Sequence, residues 1–136
     1  MLRIVDANAN RALEGVRVCE EIARFHLASP RRFRQVRALR HAIAQAVRRL
    51  PLRAVDLAAA RASGDDIGRD APASRVDSLE RLLVINLQRT KESLRTLEEL
   101  TRLIAPTQTA AFQRLRFRAY EVERELLLNV AALRRR

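Results

Sequence analysis

The chain has 136 residues, of which 48% are apolar, and its 27 Lys and Arg against 16 Asp and Glu give a formal charge of +11. This length and apolar content are typical of one folded domain over residues 1–136 and exclude a disordered polar tail. The single cysteine, Cys19, excludes an internal disulfide framework and a cysteine-bound metal cluster. No apolar run has the length of a signal peptide or a membrane span, so we expect a soluble cytoplasmic protein with no membrane partner.

The positive charge comes almost entirely from arginine, since Lys91 is the only lysine among the 27 cationic residues. The planar guanidinium group makes two-point contacts with phosphates and carboxylates. A chain this rich in arginine is therefore equipped to bind anionic ligands.

The first part of the chain predicts two long helices. Apolar residues recur at spacings of three and four, and only three glycines and four prolines occur in the whole chain, which is typical of an all-α protein. Asp6 is predicted as the N-cap of a first helix that runs to about residue 27. Ser29 and Pro30 predict the N-cap and first position of a second helix, which runs to about residue 50, where Pro51 marks a break.

The second part of the chain predicts two more long helices after a loop. A short helical piece is expected over residues 53–61, and residues 62–72 have the glycine, proline and aspartate content of a loop. A third long helix is predicted to begin between residues 74 and 78 and to end near residue 104, and Pro106 opens a fourth. The expected fold is an all-α bundle of four long helices plus a short one.

Polar residues repeat along the chain in an unusual way. The pattern Asn-x-x-Arg-x-x-Glu-x-x-Arg-x-x-Glu-Glu-x-x-Arg begins at Asn8 and again 78 residues later at Asn86. A weaker match with an offset of 79 aligns Arg37 with Arg116 and His41 with Tyr120. We therefore predict a duplicated helical hairpin, residues 6–50 and 76–133, whose copies pack about a pseudo-twofold axis.

The repeated residues are candidates for a functional site because they are charged or amide residues, whereas packing alone would preserve an apolar stripe. Asn8 and Asn86 fall within the apolar stripes of their helices, and a buried amide without partners costs roughly 1 to 3 kcal/mol. These two amides need either an internal polar network or a ligand. The same alternatives apply to the flanking residues Arg11, Arg89, Glu14 and Glu92. Ordinary surface ion pairs are the alternative for Arg17 and Arg95.

The loop supplies a candidate metal site. Asp65 and Asp66 lie in its glycine-flanked part, where carboxylates can hold Mg²⁺ beside a phosphate, although a role in the turn itself is the alternative. The sequence contains neither the phosphate-binding motif Gly-x-x-x-x-Gly-Lys-Ser/Thr nor the dinucleotide-binding motif Gly-x-Gly-x-x-Gly. Among the two histidines, His41 follows Arg37 and Arg40 and is the better candidate for a site residue.

These motifs resemble a known family. Five segments are similar to the alternative hydroxymethylpyrimidine phosphate kinases of bacterial thiamin biosynthesis. They are the opening segment over residues 6–25, the arginines and histidine around His41, the loop from Arg61 to Gly68, the second copy of the repeat, and the end around Arg116 and Tyr120. That family is an all-helical domain often fused ahead of thiamine-phosphate synthase. This chain departs from the family pattern at Ala62, where an acidic residue usually follows the arginine.

The resemblance implies phosphorylation of hydroxymethylpyrimidine phosphate to its diphosphate, with ATP and Mg²⁺ as cofactors, a small-molecule substrate and thiamine-phosphate synthase as a partner. We expect Arg11, Arg89 and Arg61 to bind phosphates, and Asp66 with Glu14 or Glu92 to bind Mg²⁺. Asn8 and Asn86 would read the pyrimidine or orient those arginines. The candidate catalytic residues are Arg11, Glu14, Arg89 and Glu92; the candidate binding residues are Asp6, Asn8, Asn10, Arg17, Arg40, His41, Arg61, Asn86, Arg95, Arg116 and Tyr120; and the candidate metal ligands are Asp65 and Asp66.

Two other classes of function fit the composition. A basic helical module would bind nucleic acid with an affinity that falls steeply with salt, but aromatic residues for base stacking make up only 4% of the chain. A structural partner protein would show no rise in melting temperature with small ligands. The kinase is the preferred hypothesis, nucleic-acid binding ranks second, and a homodimer is left open.

Overall fold

The computed structural model describes residues 1–135 and confirms the all-α prediction. Within these residues no strand forms, and no helix is long and apolar enough to cross a membrane. The first half contains α1 (Leu2–Glu21), which continues into a π-helical turn (Ile22–His26), α2 (Pro30–Arg48) and the short α3 (Ala54–Ala60). The second half contains α4 (Leu79–Ile104), a 3₁₀ turn (Pro106–Gln108) and α5 (Thr109–Arg134).

The predicted N-cap at Ser29 is confirmed, the N-cap of the third long helix lies at the end of its predicted range of 74–78, and the predicted N-cap at Asp6 is wrong. The Ser29 and Ser78 hydroxyls accept hydrogen bonds from the backbone N–H groups of Arg32 and Arg81, as N-caps do. Helix α1, in contrast, begins at Leu2, which places Asp6 in its second turn. The earlier start buries Val5 in the core, and the Asp6 carboxylate pairs with an arginine of the distant loop instead of capping the helix.

The four long helices form a bundle in which α1 and α4 are the central antiparallel pair. The Thr90 hydroxyl donates to the Ala12 carbonyl at 3.2 Å, and the Cys19 thiol donates to the Leu83 carbonyl at 3.7 Å. Helix α2 packs on α1, α5 packs on α4, and α2 meets α5 on the far side. The core between them is aliphatic except for the fully buried Cys19 and Phe112.

Gly15 allows the central helices to approach closely. A Cβ atom at this position would lie 2.6 Å from the Thr90 hydroxyl and 2.7 Å from the Asn86 backbone carbonyl. The carbonyl belongs to helix α4 and cannot rotate away, so any side chain at position 15 must push α1 and α4 apart. Glycine is required here by space, not by backbone conformation.

We expect Gly15→Ala to lower the free energy of unfolding by about 1 to 3 kcal/mol, the usual cost of overpacking. Replacing glycine by alanine within a helix normally raises stability by about 1 kcal/mol, so the expected change has the opposite sign to the usual one. Chemical denaturation of both proteins measures the difference. Gly64→Ala is the matched control, because its added Cβ would meet only the Arg69 guanidinium, at 4.0 Å. Equal stability of the Gly15 and Gly64 variants would contradict the close approach.

The contacts of α1 and α4 support the predicted duplication with its offset of 78. The Asn8 and Asn86 amides each donate to the backbone carbonyl four residues earlier, both at 2.9 Å. Ala12 and Thr90, which are equivalent positions of the two copies, meet each other directly. The pseudo-twofold axis therefore passes through the crossing of α1 and α4.

The predicted offset of 79 for the outer helices is wrong. Arg40 pairs with Glu20 in the first copy, and Arg116 pairs with Glu98 in the second, so Arg40 and not Arg37 is the equivalent of Arg116. The pairing spans 20 residues in the first hairpin and 18 in the second. The first connection is two residues longer, and this shifts the register of α2 relative to α5. His41 and Tyr120 are consequently not equivalent.

Candidate active site

A cavity of about 720 Å³ opens between the amino-terminal half of α1 and the loop that follows α3; we call it the loop cavity. Its size is within the range of small-molecule sites. A broad face of α1 over residues 3–14 lines one side of it, and the loop lines the opposite side. It is lined by Met1, Arg3, Ile4, Asp6, Ala7, Asn8, Asn10, Arg11, Glu14, Arg61, Ala62, Ser63 and Asp66.

An ion pair fastens the loop to α1. The Arg61 guanidinium donates two hydrogen bonds of 2.8 Å to the carboxylate oxygens of Asp6, whose side chain is only 10% exposed. Asn10 adds a weaker bond of 3.3 Å to the same carboxylate. The hydrogen bonds from Arg61 hold the pKa of Asp6 below its usual range and outweigh the opposing effect of burial. Asp6 also raises the pKa of Arg61, so both groups are charged at neutral pH.

Because the pKa of Asp6 is lowered in the folded protein, the ion pair stabilises the loop contact above the ordinary carboxyl pKa of 3.8. That stabilisation is lost as the pH falls through the lowered pKa. We expect an NMR titration of the Asp6 carboxyl carbon to give a midpoint below 3.8 in the parent protein and a higher midpoint in Arg61→Ala. Arg53→Ala, which removes the exposed pair with Asp56, is the control that leaves it unchanged. An identical Asp6 titration in all three proteins would contradict the pairing.

A second cavity, of about 470 Å³, lies where α1 and α4 cross; we call it the crossing cavity. All of its lining residues are polar, and two of them, Asn8 and Arg11, also line the loop cavity. The two cavities are therefore neighbours that share a wall. The lining residues are Asn8, Arg11, Arg89, Glu92, Ser93 and Thr96.

The Asn8 amide in this shared wall is only partly satisfied by the protein. Its Nδ2 donates to the Ile4 carbonyl, and the residue as a whole is 7% exposed. Within residues 1–135 no buried side-chain nitrogen or oxygen lacks a partner, and no protein donor reaches the Asn8 Oδ1. That oxygen therefore faces solvent in the cavities and can accept a hydrogen bond from a ligand.

The carboxylates near the loop cavity fit a magnesium ion that is held partly by phosphates. Glu14 and Asp66 both line the cavity, while the Asp6 carboxylate is taken by Arg61. In the described chain no group of three or more His, Cys, Asp or Glu residues forms a metal cage. Mg²⁺ commonly takes one or two carboxylates together with phosphate oxygens and water, so this sparse donor set suits it. Asp65 does not line the cavity.

The structure does not bring the whole predicted set together. Arg40 and Arg116 are engaged with the buried carboxylates of Glu20 and Glu98, which are 2% and 6% exposed. Each guanidinium donates two hydrogen bonds to its carboxylate, which leaves these arginines as parts of the helix packing. Asn86 repeats the geometry of Asn8 but lines neither cavity.

The remaining predicted residues lie on the outer surface of the bundle. Arg17 and Arg95 pair with Glu21 and Glu99 one turn further along their helices, at 3.2 and 3.3 Å. His41 is exposed on α2. The Tyr120 ring lies 4.5 Å from the ammonium group of Lys91, which in turn pairs with Glu123 at 2.8 Å.

Four polar residues of the cavities, Arg3, Ser63, Ser93 and Thr96, were missed from the sequence. Arg3 was missed because the helix was predicted to start at Asp6, and its guanidinium donates to the Ala62 carbonyl at 3.3 Å. Ser93 and Thr96 lie four and seven residues after Arg89 and so share its helix face. This spacing was a usable signal. Asp66 also stabilises the turn of its own loop, because its Oδ1 accepts a hydrogen bond from the Gly68 N–H at 2.9 Å. A role in the turn was the alternative to metal binding for this residue.

Comparison with known proteins identifies the family. The family model described as "ThiD2 family" matches residues 3–125. The chain is 40% identical over 129 residues to a thiamine-phosphate synthase of Synechocystis, and 36% identical over 140 residues to one of Rhodopirellula baltica. These alignments cover 92% and 100% of this chain.

The chain spans about a third of the length of these relatives, 36% in both cases. A Nostoc thiamine-phosphate synthase is 35% identical to this chain, and the alignment covers 92% of this chain and 35% of the relative. No solved structure shows a significant match. The match over nearly all of the chain and the all-helical fold agree with the family resemblance of the sequence motifs, so the chain belongs to the ThiD2 family, the helical family associated with thiamin biosynthesis.

Proposed function

We propose that this chain transfers the terminal phosphoryl group of ATP to hydroxymethylpyrimidine phosphate and forms the diphosphate. The observation that carries the proposal is the position of Arg11 in the wall between two adjoining cavities. A kinase that phosphorylates a phosphate ester must hold two phosphorylated ligands with their phosphates in contact, and a cationic side chain between two ligand-sized cavities suits that task. The substrate in this proposal comes from the resemblance of the sequence motifs to hydroxymethylpyrimidine phosphate kinases, and membership of a family associated with thiamin biosynthesis supports it.

The residues around Arg11 suit phosphoryl transfer in particular. This reaction depends on positioning and on neutralising charge more than on covalent chemistry. Arg11 and Arg89 supply cationic donors from two different helices. Arg61 also binds Asp6, but its side chain is 51% exposed and only Nε and one Nη are engaged, so its other Nη stays available to a phosphate, unlike the more buried Arg40 and Arg116. The attacking atom is an oxygen of the substrate's phosphate and is already anionic, so the reaction does not require a carboxylate as general base.

Magnesium enters the proposal through Glu14 and Asp66. When bound, the ion neutralises the charge of the nucleotide phosphates. Glu14 approaches from α1 and Asp66 from the loop, and Asp66 retains a second carboxylate oxygen besides the one that accepts from Gly68. Ala62 also lines this cavity, at the position where related kinases usually carry an acid, and Asp66 is the nearby loop carboxylate that compensates in our proposal.

The relatives are named thiamine-phosphate synthases, and each extends well beyond the matched region. We propose that the diphosphate made here is passed to a thiamine-phosphate synthase. Mixing the two proteins with both pyrimidine and thiazole phosphates tests this step. Formation of thiamine phosphate only when both proteins and MgATP are present is the expected result.

The direct test of the kinase is ADP release by the purified chain with MgATP and hydroxymethylpyrimidine phosphate. The product is identified by mass, and a reaction without substrate serves as the control. We expect one diphosphate for each ADP released. No turnover with active coupling enzymes and added Mg²⁺ would contradict the proposal, and a salt titration with nucleic acid would then test the basic-module alternative.

A further inference from the structure

The two adjoining cavities differ in size and chemistry. The loop cavity is the larger, at about 720 Å³, and has an apolar wall formed by Met1, Ile4 and Ala7 beside its charged residues. The crossing cavity is smaller, at about 470 Å³, and has no apolar lining residue. A ligand with a large ring system and several phosphates matches the first. A compact, polar phosphate ester matches the second.

We infer that the two cavities divide the substrates, with the nucleotide in the loop cavity and the phosphate ester that accepts the phosphoryl group in the crossing cavity. This assignment rests on the proposed kinase function and specifies its geometry. In the crossing cavity Arg89 and Arg11 come from opposite helices and flank the space, and Ser93 and Thr96 add hydroxyl groups. Two guanidinium groups and two hydroxyls are a suitable donor set for a phosphate monoester.

The acceptors in the crossing cavity suit an aminopyrimidine. Glu92 contributes a carboxylate, one oxygen of which accepts from Gln88 at 2.9 Å while the other stays available. The Asn8 Oδ1 is a second acceptor without a protein donor. An amino group on the ring would donate to these oxygens, while Arg89 and Arg11 bind the phosphate at the other end.

Arg11 then lies at the point of transfer. An oxygen of the acceptor phosphate forms a bond to the terminal phosphorus of ATP, and the bond from that phosphorus to the bridging oxygen breaks. The electron pair of that bond stays on the bridging oxygen of ADP, and no proton has to be moved. Arg11, in the wall common to both cavities, contacts the group in transit, whereas Arg89 contacts only the acceptor and Arg61 only the nucleotide.

Binding measurements with the intact chain test this division without depending on turnover. Isothermal titration measures the Kd of hydroxymethylpyrimidine phosphate and, separately, of MgADP. We expect Arg89→Ala to weaken binding of the pyrimidine phosphate by about 10- to 100-fold, the usual cost of one charged hydrogen-bonding partner, and to change that of MgADP less than about twofold. Arg61→Ala should do the reverse.

Two further variants keep the test decisive. Arg3→Ala replaces Arg61→Ala if loss of the Asp6 pair unfolds the loop, since Arg3 lines the loop cavity with an exposed side chain. Arg102→Ala is the control on α4, because its guanidinium contacts only the exposed Glu99.

The outcomes separate the two proposals. Equal weakening of both ligands by Arg89→Ala, weakening of MgADP alone, or no binding of either ligand by the parent chain would overturn the division. Selective loss of each ligand without any turnover would uphold the division and overturn the kinase.

Discussion

Arg11→Ala is expected to lower kcat for diphosphate formation by about 100-fold or more, which is the usual loss when one donor to the developing charge is removed. Arg11 is exposed and makes no ion pair with another described residue, so its removal leaves the bundle intact. The side chain lines both cavities and is therefore placed to meet both ligands. Steady-state kinetics at saturating MgATP and substrate measure the effect.

Arg102→Ala on the neighbouring helix is the control for a general loss of positive charge, because its guanidinium pairs only with Glu99 on the outer surface. We expect this variant to keep kcat within about twofold of the parent, as is usual for exposed surface pairs. If Arg11→Ala and Arg102→Ala have the same kcat, Arg11 has no part in the transfer. A loss confined to KM would instead mean that Arg11 binds substrate without stabilising the transition state.

Arg116→Ala is expected to lower the free energy of unfolding by about 3 kcal/mol or more, because it leaves the Glu98 carboxylate buried without its partner. The Glu98 side chain is 7% exposed and that of Arg116 is 13% exposed, so solvent cannot replace the two hydrogen bonds. Arg40→Ala should cause a similar loss through Glu20, which is 2% exposed. Urea denaturation of each variant gives the values.

The control for these ion pairs is Arg95→Ala, whose exposed pair with Glu99 is worth well under about 1 kcal/mol. An Arg116→Ala protein as stable as Arg95→Ala would show that the Glu98 pair is not a structural element. Measuring both the free energy of unfolding and ligand binding for these variants distinguishes residues that stabilise the fold from residues that bind ligands. Arg116 and Arg40 are expected to change stability strongly, while ligand binding by the folded fraction stays the same.

The duplication is symmetric in its packing and asymmetric in its cavities. Asp6, which fastens the loop through Arg61, has Val84 as its equivalent 78 residues later. The second copy thus lacks the carboxylate that would hold a loop arginine against α4. In addition, the loop that carries Arg61 and Asp66 connects the two hairpins and lines the loop cavity together with α1.

Sequence patterns identified the helices because their signals are local. The spacing of apolar residues, the serine caps at Ser29 and Ser78 and the proline at position 30 act within one or two turns, so they determine helix positions with little help from the rest of the chain. The repeated line from Asn8 to Glu14 was visible for the same reason. Whether the two copies of this line would meet at one site was left open by the sequence, and the structure places Asn8 and Arg11 with Arg89 and Glu92 around one cavity.

The partners of charged residues were decided only by the tertiary structure. Nothing local distinguishes Arg40 from Arg37, or Arg11 from Arg17, in a chain with this much arginine. Their roles differ because Arg40 donates two hydrogen bonds to the buried Glu20, whereas Arg17 touches Glu20 only at 3.5 Å and pairs with Glu21 near the surface. Arg11 faces two cavities.

What the sequence by itself determined was the all-α class, the positions of the helices and the duplicated polar line, since each depends on neighbours a few residues away. What only the tertiary structure decided was the true register of α2 against α5, the capture of Arg61 by Asp6 across 55 residues, and the shared wall at Arg11. These features depend on contacts between distant segments, and the free energy of such contacts is set by burial and distance in the folded chain.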